Sequence, residues 1–160
     1  MDHSKRWLIL GALLGGLSVA AGAFGAHGLD RYFRVKYENE FFEKRIEFEG
    51  RQVERIKKPL AEKYLADVKT GAEYQMYHAL ALLAVGILYR LRACRSLNIA
   101  GWCFFFGCLG FSGGLYAYTL TGAKILGMTI VPLGGVLFIA GWVALLISQF
   151  GRRTAESSNA

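Results

Sequence analysis

Charge disappears from this chain in long blocks. Trp7 to Ala26 carries none, and uncharged runs return at 74–89, 97–123 and 125–150. The first, third and fourth reach ~20 residues or more, enough at ~1.5 Å rise per residue to cross a ~30 Å hydrocarbon core. The second has 16 residues, and its uncharged lead-in 70–72 with the lone Glu73 extends it to an adequate span. A soluble helix would repeat polar positions with a period of ~3.6, whereas these runs are apolar all round. The pattern predicts an all-α membrane protein. Its four transmembrane helices, at about 7–28, 70–89, 97–121 and 125–150, form a bundle in one integral domain of residues 1–160.

The connection at 30–69 is different in kind. Residues 30–73 hold ten of the twelve acidic and eleven of the nineteen basic residues. Phe33, Tyr37 and Phe41 recur at i+4 spacing among Arg31, Arg34, Lys36, Lys44 and Arg45, with Phe42 and Ile46 following the same way. That is an amphipathic pattern suited to a lipid headgroup boundary. Alternation on either side of Glu49-Gly50 predicts a hairpin. Pro59 marks a helix start whose apolar face is Leu60, Tyr64, Leu65 and Val68. Segment 30–69 is therefore expected as an amphipathic, charged insertion between helices 1 and 2, outside or at the surface of the membrane.

Composition changes the picture little: 54% of residues are hydrophobic and 19% charged. The net charge of +7 would suit nucleic acid. Yet the bases are interleaved with acids or sit at the ends of apolar runs, and no aromatic-and-basic reading surface is visible, so no nucleic-acid partner is expected. Lys5, Arg6, Arg90, Arg92, Arg95, Arg152 and Arg153 share one side of a four-span topology, against Asp2 and Glu156. The positive-inside tendency puts that side, with both termini, in the cytoplasm, and the membrane is expected to be the bacterial plasma membrane. Segment 30–69 and the turn 121–124 fall opposite. Ala21-Gly22-Ala23 also has the form of a signal-peptidase site, and cleavage there would remove residues 1–23 and leave three spans. Cys94, Cys103 and Cys108 suggest packing rather than a disulfide framework.

Glycine supplies the packing argument. Gly11-x-x-x-Gly15 with Gly22 and Gly25, Gly110-x-x-x-Gly114, and the pair Gly134-Gly135 let helix backbones approach closely where lipid removes the hydrophobic drive. "GAFGAHGL" (22–29) and "GCLGFSGGL" (107–115) share a Gly-x-x-Gly-x-x-Gly ladder, a candidate trace of duplicated helical hairpins.

Depth in the bilayer brings the ionisable groups together. Span one starts with Trp7, read as an interface anchor, and ends at His27. Span two opens with Glu73, Tyr74, Gln75 and His78, and span three ends with Tyr116. These six form a candidate polar cluster at one membrane face, since unpaired polar groups in hydrocarbon cost several kcal/mol. Tyr74 and Gln75 lie at i−4 and i−3 from His78 and project with it. The histidines, with Glu73 and Asp30, raise metal or haem binding, but haem ligands lie deeper and a metal needs more ligands. No cofactor is expected. Ser112 has no neighbouring base in sequence, and Ser18 is expected to bond its own helix backbone.

"GAFGAHGL", "YQMYHALALL" (74–83), "GFSGGLYAYTLTG" (110–122) and "VPLGGVLFIAGW" (131–142) together resemble a small four-span membrane family of unknown function. It is typified by the bacterial proteins YgdD and YwdK and related to animal transmembrane protein 256. The resemblance covers 7–29 and about 70–150 and implies an integral membrane location. It carries over no activity, substrate or catalytic residue. Segment 30–69 is longer than the connection usual in that family.

The expectation is a structural or accessory helix-bundle protein, not an enzyme, whose partners are the lipid bilayer and a homo-oligomer or membrane complex. The alternative is a small solute or ion conduit through His27, Glu73 and His78. A haem or metal carrier ranks below both.

Overall fold

A computed structural model of the chain describes residues 3–48 and 51–150. It is mostly helical: α1 (His3–Lys36), α2 (Leu60–Leu91), α3 (Arg95–Thr121) and α4 (Leu126–Phe150), with a two-stranded hairpin β1 (Phe41–Phe48) and β2 (Arg51–Pro59) between α1 and α2. Among the described residues, α1, α3 and α4 are long and apolar enough to cross a membrane. The 32-residue α2 is long enough but carries charges in its first turns, from Glu62 to Glu73. The two residues at the hairpin tip lie outside the described ones, as does the basic pair at 152–153.

Segment 30–69, expected as one insertion, is divided among three elements. Residues 30–36 continue α1, which at ~1.5 Å per residue is about 50 Å long and outruns a ~30 Å hydrocarbon core. Residues 60–69 open α2, directly after Pro59 as its sequence position predicts. Only the hairpin and its lead-in stand apart from the helices. It pairs antiparallel from Phe41↔Pro59 to Phe48↔Arg51, with a register irregularity at Ile46/Glu47. Its base is closed by the Leu60 N–H donating to Glu40 O at 2.9 Å.

The expected headgroup-facing stripe is corrected. Phe33 is fully buried and Tyr37 nearly so, because α1 runs straight on and packs them against Tyr64 of α2, with ring centroids 5.8 and 5.1 Å away. Phe41, on β1, is exposed. Trp7 is also corrected from interface anchor to core. It is 0% exposed, lies over Gly101 of α3 and meets Trp102 edge-on at 5.2 Å.

The helices run antiparallel in sequence, and α2 is the central one. Ser4 of α1 meets Gly86 of α2 at one end, and Gly25 meets Val68 at the other. The far side of α2 meets both α3, through Tyr116, and α4, through Trp142. Buried positions on α2 step by three and four without interruption: Ala61, Tyr64, Val68, Gly71, Gln75, His78, Leu82 and Val85. That heptad spacing holds one face toward neighbours. Large apolar side chains such as Ile9, Leu13, Leu17, Leu133 and Ile147 point outward.

The glycine ladders have an unforeseen consequence. Both coincide with π-helical turns, Gly25–Leu29 in α1 and Cys108–Gly113 in α3. Such a turn takes up one extra residue. The buried stripe of α1 accordingly passes from Ser4, Trp7, Gly11, Leu14 and Ser18 to Gly25, Leu29, Phe33 and Tyr37, in steps of four after the turn.

Five of the eight packing glycines sit where backbones or side chains close in. A Cβ on Gly11 would stand 2.9 Å from the Ala79 carbonyl, on Gly25 3.0 Å from Val68, and on Gly114 3.0 Å from Val131. Gly110 and Gly134 face one another across α3 and α4, and a Cβ on Gly134 would overlap the Phe111 backbone nitrogen. Gly15, Gly22 and Gly135 have ordinary space around them, at 3.7 Å or more. Gly101, Gly107 and Gly141 were not anticipated; they sit under Trp7, Phe138 and Phe104. The α3–α4 turn closes on Gly122, whose φ of 73° needs glycine and whose N–H donates to Tyr118 O at 2.8 Å.

Candidate functional site

The α2 heptad points Gln75 and His78 inward while placing them on different neighbours. Gln75 is 6% exposed. Its Nε2 donates to the Leu14 carbonyl of α1 at 2.9 Å, and its Oε1 accepts from the Tyr116 hydroxyl of α3 at 3.1 Å. One amide thus ties three helices. Tyr116 also covers Gly71, where a Cβ would lie 2.8 Å from its ring.

His78, 4% exposed, faces α4. Its Nδ1 lies 2.7 Å from the Tyr74 carbonyl, and its Nε2 lies 3.3 Å from the Trp142 indole nitrogen. A carbonyl only accepts and an indole N–H only donates, so the proton belongs on Nδ1 and Nε2 accepts from Trp142. The neutral ring is satisfied on both sides. Phe138 stacks on it with centroids 3.4 Å apart, and Phe104 tilts against it at 5.6 Å. Tyr74 packs its ring on Phe111 at 4.9 Å while its carbonyl serves His78.

The six residues expected as one cluster are therefore separated. Gln75 meets Tyr116, while His78 meets Trp142 and Tyr74. Glu73, next in the chain, turns outward and comes within 4.0 Å of Lys69. His27 is exposed on α1, off the buried stripe formed by Gly25 and Leu29. Bilayer depth alone brings these groups to one level; rotation about each helix axis separates them. Among the described residues no three His, Cys, Asp or Glu side chains converge in a manner that could hold a metal.

Several contributors were missed. The Ser18 hydroxyl donates across to the Ala72 carbonyl of α2 at 2.7 Å, not to its own helix. Ser4 donates to the Gly86 carbonyl at 3.0 Å and accepts from Arg90 Nε at 2.9 Å. Trp142 and Phe138 complete the histidine site. A signal was available: Ser4, Trp7, Gly11, Leu14 and Ser18 alternate steps of three and four, small and polar residues on the spacing usually searched for leucines. Ser112 is fully buried with no hydrogen-bond partner for its hydroxyl, as is the Trp7 indole N–H.

Beyond the bundle, Leu29, Phe33, Tyr37, Ala61, Tyr64 and Val68 form a second core. Tyr64 and Tyr118 meet edge-on at 5.4 Å, and Lys63 sits 4.8 Å over the Tyr118 ring while paired with Asp67 at 2.6 Å. Burial pushes the Tyr64 phenol up, and the neighbouring Tyr118 adds to the shift, so it stays a neutral hydroxyl.

The family described as "Protein of unknown function (DUF423)" matches residues 21–135, well over half of the chain. The chain belongs to this family. The UPF0382 membrane protein of Staphylococcus haemolyticus is 40% identical over 146 residues, 91% of this chain and 96% of that protein. Its counterpart from Staphylococcus saprophyticus is 41% identical, over 91% of this chain and 98% of its own length. The UPF0382 membrane protein YwdK of Bacillus subtilis is 39% identical, over 90% and 95%. No solved structure matches the chain. The resemblance drawn from the four motifs is thus shown, and with its three apolar helices the chain is a multi-pass membrane protein. The family match spans Gln75, His78 and Tyr116 but ends before Trp142, the histidine's partner.

Proposed function

We propose that this chain is a four-span scaffold of the bacterial plasma membrane, non-enzymatic, associating with copies of itself or a larger membrane complex, with both termini cytoplasmic. A spanning α2 is supported by its position. It lies antiparallel to α1 from Ser4–Gly86 to Gly25–Val68, and its stretch 74–89 is free of charge. The orientation rests on Lys5, Arg6, Arg90, Arg92 and Arg95 lying together at span ends. Residues 30–69 would then sit on the outer side.

One observation carries the scaffold reading. Four of the buried polar side chains join helices: Gln75 to Leu14 and Tyr116, Ser18 to Ala72, Ser4 to Gly86, and His78 to Trp142. We read Tyr74, Gln75, His78 and Tyr116 as groups that set helix rotation. The conduit alternative draws no support from the geometry, since His27 and Glu73 stand apart from His78.

Two measurements test the reading. Labelling of single cysteines introduced near 3, 60, 93 and 122 should report positions 3 and 93 on one side and 60 and 122 on the other; agreement of 60 with 93 would remove the fourth span. Crosslinking in mild detergent should trap a defined oligomer or partner, and a clean monomer would count against the scaffold role. Flux in liposomes abolished by His78→Phe would revive the conduit.

A further inference from the structure

Between α1 and α2, beside the bundle core, lies an open cavity of about 550 Å³. Its floor is formed by Gly22 of α1 and Leu65, Val68 and Ala72 of α2, and its rim carries Asp30, Lys69 and Glu73. The floor is apolar and the rim charged, which is the order of an acyl chain and its headgroup. The trough exists because small residues occupy both walls: a Cβ on Gly22 would still stand 4.0 Å from Ala72.

The rim chemistry selects a headgroup. Glu73 is held loosely, 4.0 Å from Lys69, with about half of its side chain accessible at 48%. Asp30 pairs with Arg34 at 2.8 Å and keeps 38% of its side chain accessible. With Asp30 taken up by Arg34, Glu73 beside Lys69 complements a head that has both a phosphate, for Lys69, and a cationic amine, for Glu73. Charges at the edge of a bilayer are expected to be partnered. A primary ammonium can donate hydrogen bonds to carboxylates, and such charge-assisted bonds are the strong ones; a quaternary amine has no N–H, and a glycerol head has no positive charge.

We propose that this groove binds one phospholipid of the phosphatidylethanolamine class, its amine on Glu73, its phosphate on Lys69 and one acyl chain along Gly22 and Ala72. The inference rests on α1 and α2 lying side by side in a bilayer, as in the four-span reading.

Native mass spectrometry of the detergent-solubilised full chain, offered equimolar phosphatidylethanolamine, phosphatidylcholine and phosphatidylglycerol, tests it. The ethanolamine lipid should be retained about tenfold over either competitor, the equivalent of one charge-assisted hydrogen bond. Glu73→Gln, isosteric and on an accessible position, should erase that preference. Ala72→Leu should lower retention of all three lipids by filling the trough, with circular dichroism confirming unchanged helicity. Equal retention of the three lipids by the wild type, or a preference untouched by Glu73→Gln, overturns the proposal. A dimer that forms only when lipid is stripped, and that Ala72→Leu abolishes, also overturns it by giving the groove to a second copy. Water-accessible labelling of a cysteine at position 80, outward-facing within the uncharged stretch of α2, would instead defeat the spanning of α2, a failure distinguishable from loss of lipid preference.

Discussion

The two cores of this molecule are assembled by different means. In the bundle, rings seat on glycine, Trp7 on Gly101, Phe104 on Gly141 and Phe138 on Gly107, with Gly110 and Gly134 bringing backbones nearly into contact. At the far end of α1, outside the uncharged run, Phe33, Tyr37, Tyr64 and Tyr118 meet ring to ring at 5.1–6.0 Å. Lipid tails are as apolar as leucine, so burying leucine between spanning helices gains little; close backbone approach and interhelical hydrogen bonds supply the attraction instead. Where water replaces lipid, burying aromatic area is again favourable. The outward turn of Leu13, Leu17 and Leu133, beside the inward turn of Phe33, is that contrast within one fold.

Overfilling the bundle should hurt most. Gly134→Leu has no room beside the Phe111 backbone. Its cost should exceed the ~3 kcal/mol of ordinary overpacking, because two backbones rather than side chains must part. Size-exclusion chromatography should recover aggregate in place of a monodisperse species. Phe33→Ala should cost about 3–5 kcal/mol, confined to the second core. Trypsin should then cut rapidly at Lys57 while the bundle stays intact in detergent; a collapse of both together would mean the two cores are one cooperative unit.

Smaller changes sharpen the contrast. Gln75→Leu removes two interhelical bonds and should cost about 1 kcal/mol, close to twice the average measured for one such bond in membranes, read by unfolding in mixed detergent. Ser18→Ala should cost about 0.6 kcal/mol by the same assay. Ser112→Ala should be neutral or slightly stabilising, since its buried hydroxyl has no partner to lose.

Much of the architecture was legible in the residues. The uncharged blocks mark the apolar helices, Pro59 marks the start of α2, and the alternation around Glu49-Gly50 marks the hairpin. Gly11, Gly25, Gly110, Gly114 and Gly134 were legible as contact points because small side chains in lipid have few other uses. Polarity within an apolar run singles out Tyr74, Gln75, His78 and Tyr116, each of which has a partner in the bundle, while His27 and Glu73, grouped with them on depth alone, turn outward.

A linear string of residues is enough to settle that this chain inhabits a membrane, since crossing a bilayer depends on apolar length, and length is a one-dimensional quantity. Azimuth is not. Which face of α2 meets α4, why Trp7 is core rather than anchor, and how Trp142 comes to hold His78 depend on the fit of facing surfaces and on π turns that displace each stripe by one position. Those are agreements between distant segments, and they exist only once the helices have packed.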